Sequence, residues 1–299
     1  MKTWELPESC GAYRRYYVDV TDSSYTVAAA LSLWQLPCAP APGRPPASKL
    51  YASIHFGLYE KGRRIFGVLS SYEGASLECH GGNLQLGRSH WSYASSGIAI
   101  ELEENDLRSG LKVEARIELF GGGREGEAVC ISEGLSHFIQ ALWPRVWGRV
   151  HLPGLRVAFE GIAYHDLRWG LVLPGKDFAC WQWQRTHGER ETCIEWFPTL
   201  SQGPEPVLGR QLIVDGEGRQ RASSSVFPQM RRSLWGLEVP ERLRTEGPLC
   251  MLESFPFFGR LEARRGGSHS LADVLHFKRS ERPLSKWMLW RGLRKVDEF

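Results

Sequence analysis

The sequence predicts an all-β protein of two antiparallel β-barrel or sandwich domains with a short C-terminal helix. Three features predict it. Apolar and polar residues alternate with a period of two in segment after segment. Clusters of Gly, Asp and Ser punctuate these segments as turns. Helical periods do not intervene, so successive hairpins must meander into closed or stacked sheets.

In chain order, a turn cluster at Thr21-Asp22-Ser23-Ser24 precedes the run Val27 to Leu36. That run is nearly apolar, interrupted by Ser32 and Gln35, and far too short to cross a bilayer. The proline-rich segment Pro37 to Pro46 must be a loop, because proline cannot donate to a strand ladder. It serves either as the rim of a pocket or as a long connection. Leu50, Ala52, Ile54, Phe56 and Leu58 share one face of the next strand, which turns at Glu60-Lys61-Gly62-Arg63. Ile98, Ile100 and Leu102 repeat the pattern. From Leu111 to Leu119 the alternation has no fault: Leu111, Val113, Ala115, Ile117 and Leu119 on one side, Lys112, Glu114, Arg116 and Glu118 on the other. Gly121-Gly122-Gly123 ends it. A domain joint is expected between Pro144 and Pro153, dividing the chain into residues 1–148 and 149–299. Leu155, Val157 and Phe159 open the second set of hairpins, which includes a turn at Asp215-Gly216-Glu217-Gly218. Pro283 to Lys295 reads as a helix, with Leu284, Trp287, Met288 and Arg291 on one face. A short basic, aromatic helix of this kind either caps a barrel or rests on a membrane surface.

Composition narrows the function. The chain has 299 residues, a formal charge of +3 and 24% charged residues, without a basic block interleaved with aromatics, so nucleic acid is not the expected partner. Twelve Trp and thirteen Phe supply flat apolar surface for two cores, or for cores plus a greasy pocket. Seven Cys without a Cys-x-x-Cys pair point to a reducing compartment, with no disulfide framework and no structural zinc. The start, Met1 to Pro7, lacks the apolar core of a secretory signal, so a cytoplasmic location is expected. No metal-ligand spacing, phosphate-cradling loop or Gly-x-Ser-x-Gly elbow is present. No cofactor or metal site is therefore assigned.

The most concentrated polar cluster is Tyr164-His165-Asp166, bracketed by Phe159, Gly161, Trp169 and Gly170. In an extended segment Tyr164 and Asp166 point to one side and His165 to the other. A carboxyl group facing an aromatic hollow keeps its proton more readily, which suits the protonation of an alkene. The tripeptide also fits a buried polar knot that orders a turn. His137, His55 and the tryptophans fit plain core positions as well as functional ones.

The segment Gly161-Ile162-Ala163-Tyr164-His165-Asp166-Leu167-Arg168-Trp169-Gly170 resembles the Gly-x-Gly-Tyr-His-Asp-x-x-Trp-Gly signature of the carotenoid 1,2-hydratase (hydroxyneurosporene synthase) family. Four other stretches are similar in the same order. They are Tyr16-Tyr17-Val18-Asp19-Val20 with Asp22, Ile54-His55-Phe56-Gly57-Leu58-Tyr59, Trp181-Gln182-Trp183-Gln184-Arg185, and Leu252 to Arg260. Ala163 stands at the second glycine of the signature, and Ile139 where the family often has Trp.

The resemblance implies two lipocalin-like domains and a cofactor-independent hydratase. Such an enzyme adds water to a terminal isoprenoid double bond of an acyclic carotenoid-like polyene. It makes Asp166 the proton donor, with Tyr164 and His165 assisting or positioning water and His137 as an upstream catalytic residue. Trp169, Trp181, Trp183, His55 and Phe257 are then expected to contact substrate. Two alternatives share the pocket: a lipocalin-like cyclase or pericyclase of the Diels–Alder kind, related to tocopherol cyclase, and a non-catalytic carrier of a lipophilic ligand. Peripheral membrane contact is expected, if anywhere, through the C-terminal basic aromatic segment.

Overall fold

A computed structural model describes residues 7, 9–37, 48–73, 77–94, 97–105, 110, 112–120, 128–130, 137–201, 209–233 and 235–280. The segments 38–46, 121–123 and 283–295, read above as a loop, a turn and a helix, lie outside the described residues, as does Leu111.

The structure is antiparallel β throughout, as the alternation predicts. The first strands are β1 (Tyr13–Thr21), β2 (Tyr25–Pro37), β3 (Ser48–Glu60), β4 (Arg63–Glu73), β5 (Leu77–His80) and β6 (Asn83–Leu86). β7 (Ser89–Ala94), β8 (Gly97–Asn105), β9 (Lys112–Phe120), β10 (Val129–Cys130), β11 (His137–Leu152) and β12 (Val157–Gly170) follow. These twelve form one sheet in the order β4-β3-β2-β1-β12-β11-β9-β8-β7-β6-β5, with β10 beside β11. The sheet wraps a single apolar core that includes Val18, Leu31, Ile54, Trp91, Ile100, Ile117 and Ala163. At the β3–β4 hairpin Lys61 and Gly62 have φ of 47° and 80°. Both central positions are left-handed, as the tight turn matching strand twist requires.

A short helix, α1 (Pro174–Asp177), leads to the second unit. Its strands are β13 (Phe178–His187), β14 (Glu191–Leu200), β15 (Gly209–Asp215), β16 (Gln220–Ser225), β17 (Met230–Arg232), β18 (Glu238–Pro240), β19 (Leu249–Ser254), β20 (Phe258–Arg265) and β21 (Ser268–His276). Seven of them order as β16-β15-β14-β13-β21-β20-β19, and β17 pairs with β18 as a separate ribbon. That ribbon supplies Leu237 and Val239 to a small core on one face of the seven-stranded sheet. A final helical turn, α2 (Phe277–Ser280), follows β21. Among the described residues no helix is long and apolar enough to cross a membrane.

The change of sheet falls between Gly170 and Phe178, whereas residue 148 sits inside β11. Pro144 to Leu152 belongs to β11, and β12 pairs with that strand along its length. Those two strands are held to the first unit by ladder hydrogen bonds that local composition does not reveal.

The two sheets meet face to face. Tyr17, Ala30, Tyr59, Ile139 and Tyr164 of the first pack against Phe178, Trp181, Trp183, Trp196 and Leu271 of the second. This second core, between the units, carries the candidate site.

Candidate active site

Strand alternation divides the Tyr164-His165-Asp166 segment between two compartments. On β12, Tyr164, Asp166 and Arg168 face the second sheet, while His165 and Leu167 face the core of the first. Asp166 lies opposite Tyr17 of β1 and Ala141 of β11, and Arg168 lies opposite Arg15 and Ile139. Directly opposed residues share a face, so Arg15, Tyr17 and Ile139 border the same space. Gly161 has a physical reason of its own. A Cβ there would stand 2.0 Å from the Thr21 carbonyl oxygen, so only glycine lets β12 close onto β1.

Asp166 is fully buried. The Tyr164 hydroxyl donates to its Oδ2 at 2.8 Å, and Arg168 donates to both oxygens, from Nε at 3.2 Å and from Nη2 at 2.8 Å. An ion pair thus surrounds the carboxyl group where an apolar, ring-lined hollow was expected. The sequence carried the cause in plain view: Arg168 is two residues on, on the same face of the strand. The guanidinium in turn lies 4.8 Å from the centre of the Trp183 ring. Burial pushes the Tyr164 hydroxyl far above the ordinary tyrosine range, and the neighbouring Asp166 adds to this.

His165 occupies a different environment. Its Nδ1 donates to the Tyr17 carbonyl at 2.8 Å, which leaves Nε2 to accept from the Tyr93 hydroxyl at 2.8 Å. Trp143 packs edge-on against the ring. His137 stands on the Asp166 side, at the start of β11. The Tyr13 hydroxyl donates to its Nδ1 at 3.2 Å, and its Nε2 donates to Asp177 at 2.9 Å. Burial lowers the His137 pKa, outweighing the pull of Asp177.

A cavity of about 210 Å³ opens between the sheets, walled by Trp34, His55, Phe255, Phe257 and Phe258 with Arg15 and Arg64. A smaller space of about 40 Å³ adjoins it, walled by Tyr13, Arg15, Trp34, Arg168, Trp181 and Asp273. The two share Arg15, Trp34, Phe258 and Leu275. His55 and Phe257 line the larger chamber and Trp181 the smaller one. Trp183 does not line either space; it is fully buried against Arg168, Tyr17 and Tyr164. Trp169 is a correction. It stacks on Phe138 at 5.4 Å, on the face of β12 opposite Asp166, because an odd offset from 166 reverses the side chain. Asp166 reaches the space through Arg168, and His137 through Tyr13.

Several residues at this site escaped the sequence reading. Arg260 donates to both oxygens of Asp273 at 2.6 and 2.7 Å and to the Tyr59 hydroxyl at 3.0 Å. Tyr59 donates to Glu253 at 2.7 Å, and His55 lies 3.2 Å from the same carboxylate. Alternation in the matched segments places Arg15 with Tyr17, and Glu253 is the acidic member of the Leu252 to Arg260 stretch; those were the available signals. Asp273 gave none, because it stands alone in the run Leu271 to Leu275. Among the described residues no group of three or more His, Cys, Asp or Glu side chains converges as metal ligands would.

Comparison with known proteins bears on both fold and family. No curated protein matches the chain by sequence. Among solved structures, an AttH candidate from Nitrosomonas europaea is similar with a TM-score of 0.60 and 11% identity, over 89% of this chain and 92% of that one. That likeness supports a shared lipocalin-like fold. CghA crystallised with Sch210972 has a TM-score of 0.40 and 8% identity over 89% of this chain and 88% of that one. The model of the family described as carotenoid hydratase CrtC matches residues 41–294, which include every strand from β3 to β21. The chain belongs to the carotenoid hydratase CrtC family.

Proposed function

We propose that this chain adds water across an isoprenoid carbon–carbon double bond of an acyclic carotenoid-like molecule whose end lies in the cavity between the two sheets. The observation that carries this reading is the join between a ring-walled space and a buried proton-exchanging row. Arg168 lines the smaller chamber and is bonded directly to Asp166, which Tyr164 also holds.

In this reading Asp166 gives its proton to the less substituted alkene carbon, leaving a tertiary carbocation and a carboxylate. Water adds to the cation through an oxygen lone pair, and the proton then lost from that oxygen returns to Asp166. The atoms balance without a further reactant. The ring of Trp181 faces the chamber and stabilises a desolvated cation by about 2 kcal/mol. Fixed dipoles around the site supply the larger share. Arg168 donates to both oxygens of Asp166, so the acid acts only when that guanidinium lets go. Trp183 offers the guanidinium a second resting contact. His137, through Tyr13, holds the hydroxyl that faces the added water.

Incubation with an acyclic carotenoid in isotopically labelled water tests the reading. The expected product is heavier by one labelled water, and Asp166→Asn abolishes its formation while substrate still binds. An isomer of unchanged mass would mean cyclisation, and unaltered, tightly held substrate would mean carriage. Full turnover by Asp166→Asn removes Asp166 from the donor role.

A further inference from the structure

The cavity holds one cation more than its carboxylates match. Arg168 is paired with Asp166 at 2.8 Å, Arg260 with Asp273 at 2.6 Å and Arg64 with Glu253 at 3.6 Å. Arg15, at the junction of the two chambers, has no such partner. Its Nε is buried without a hydrogen bond, and its one ion pair among the described residues reaches Asp273 only at 4.0 Å. Both oxygens of that aspartate are already taken by Arg260. Arg15 lies opposite Arg168 across the β1–β12 ladder, so two guanidinium groups face the same small space. Burial, with repulsion from Arg168, pushes the Arg15 pKa down to about 10. Arg15 is only partly buried, its side chain 18% exposed, and a partly buried cation without a close carboxylate favours an anionic ligand beside it.

We infer that this cavity binds an apolar chain ending in a carboxylate, with the head group between Arg15 and Arg168 and the tail against Trp34, Phe257 and Phe258. Guanidinium groups recognise carboxylates through paired, charge-assisted hydrogen bonds. The tail is short where it is enclosed. A dry cavity of about 150 Å³ accepts a benzene ring. The larger chamber, about 210 Å³, therefore encloses roughly eight carbons, between one and two isoprene units. The binding claim goes beyond the hydration reading and stands without it.

Calorimetric titration of the full chain tests the inference, with geranic acid, decanoic acid, geraniol and the hydrocarbon myrcene as probes near neutral pH. Geranate is expected to bind at least about tenfold more tightly than geraniol, as one charge-assisted pair provides. Myrcene binds more weakly still. Decanoate equal to geranate assigns the site to fatty and isoprenoid acids alike; weaker decanoate assigns it to isoprenoid acids. Arg15→Met is expected to erase the preference for the acid, and Arg15→Lys to retain part of it. Geraniol or myrcene binding as well as geranate, or no binding of either acid, overturns the inference on the unaltered protein alone. Undiminished acid preference in Arg15→Met overturns it too. The heats are independent of turnover, so failure of the labelled-water assay and failure of this proposal are separate results.

Discussion

Substituting Asp19 by Asn is expected to remove a pH-dependent part of the stability, while it leaves the buried Arg185 guanidinium without a carboxylate. Asp19 of β1 and Arg185 of β13 pair at 2.7 Å across the interface between the sheets, and both side chains are fully buried. Burial pushes the Asp19 carboxyl up to about 6, against the pull of Arg185. In the unfolded chain an aspartate titrates near 3.9. Between those values the folded protein keeps a proton that the unfolded chain has released. Stability from this group is thus complete below about pH 4 and falls as pH rises through about 6. The loss is about 3 kcal/mol, at about 1.4 kcal/mol for each unit of difference. Asparagine resembles the protonated acid and does not titrate. Between pH 4 and pH 7.5 the difference between variant and original protein should move in the variant's favour by up to about 3 kcal/mol, on top of a constant cost for leaving Arg185 without a carboxylate. Removing one member of a buried pair is the costly change, unlike replacing both by apolar residues. Urea denaturation at the two pH values measures the difference. A difference that does not change with pH refutes the reasoning.

Gly161→Ala is expected to destabilise by about 1–3 kcal/mol, read as a lowered thermal midpoint, because the new methyl carbon meets the Thr21 carbonyl oxygen at 2.0 Å. Glu262 gives an acid-sensitive contribution of the opposite sign to that of Asp19. Burial works against its charged form, yet bonds from His269 and Arg264 hold its pKa down at about 2. Its stabilisation is present above the unfolded value near 4.3 and disappears as pH falls toward 2. Glu262→Gln should therefore flatten the acid limb of the stability curve, and an unchanged limb in a denaturation series from pH 5 downward argues against this.

Much of the architecture was legible in the sequence because strand alternation is a local signal. A period of two assigns each side chain to a face whatever lies across from it, so β3, β8 and β9 could be read one residue at a time. The same rule separated Tyr164 and Asp166 from His165 before any packing was known. It would also have placed Arg168 beside Asp166 and turned Trp169 away, had it been carried two positions further along β12. The boundary between the units was harder. β11 and β12 join the first sheet through pairing with β9 and β1, partners distant in sequence.

Local sequence thus determined the strand character, the facing of each residue and the family of the chain. Tertiary structure alone decided which charges meet. Arg185 finds Asp19 at a separation of 166 positions, and Arg260 finds Tyr59 at a separation of 201. A single strand shows that a charged residue points inward, but the sign and distance of its partner depend on how two sheets stack. Arg15 makes the same point by default. Only the assembled cavity reveals a cation whose nearest carboxylate already belongs to another arginine.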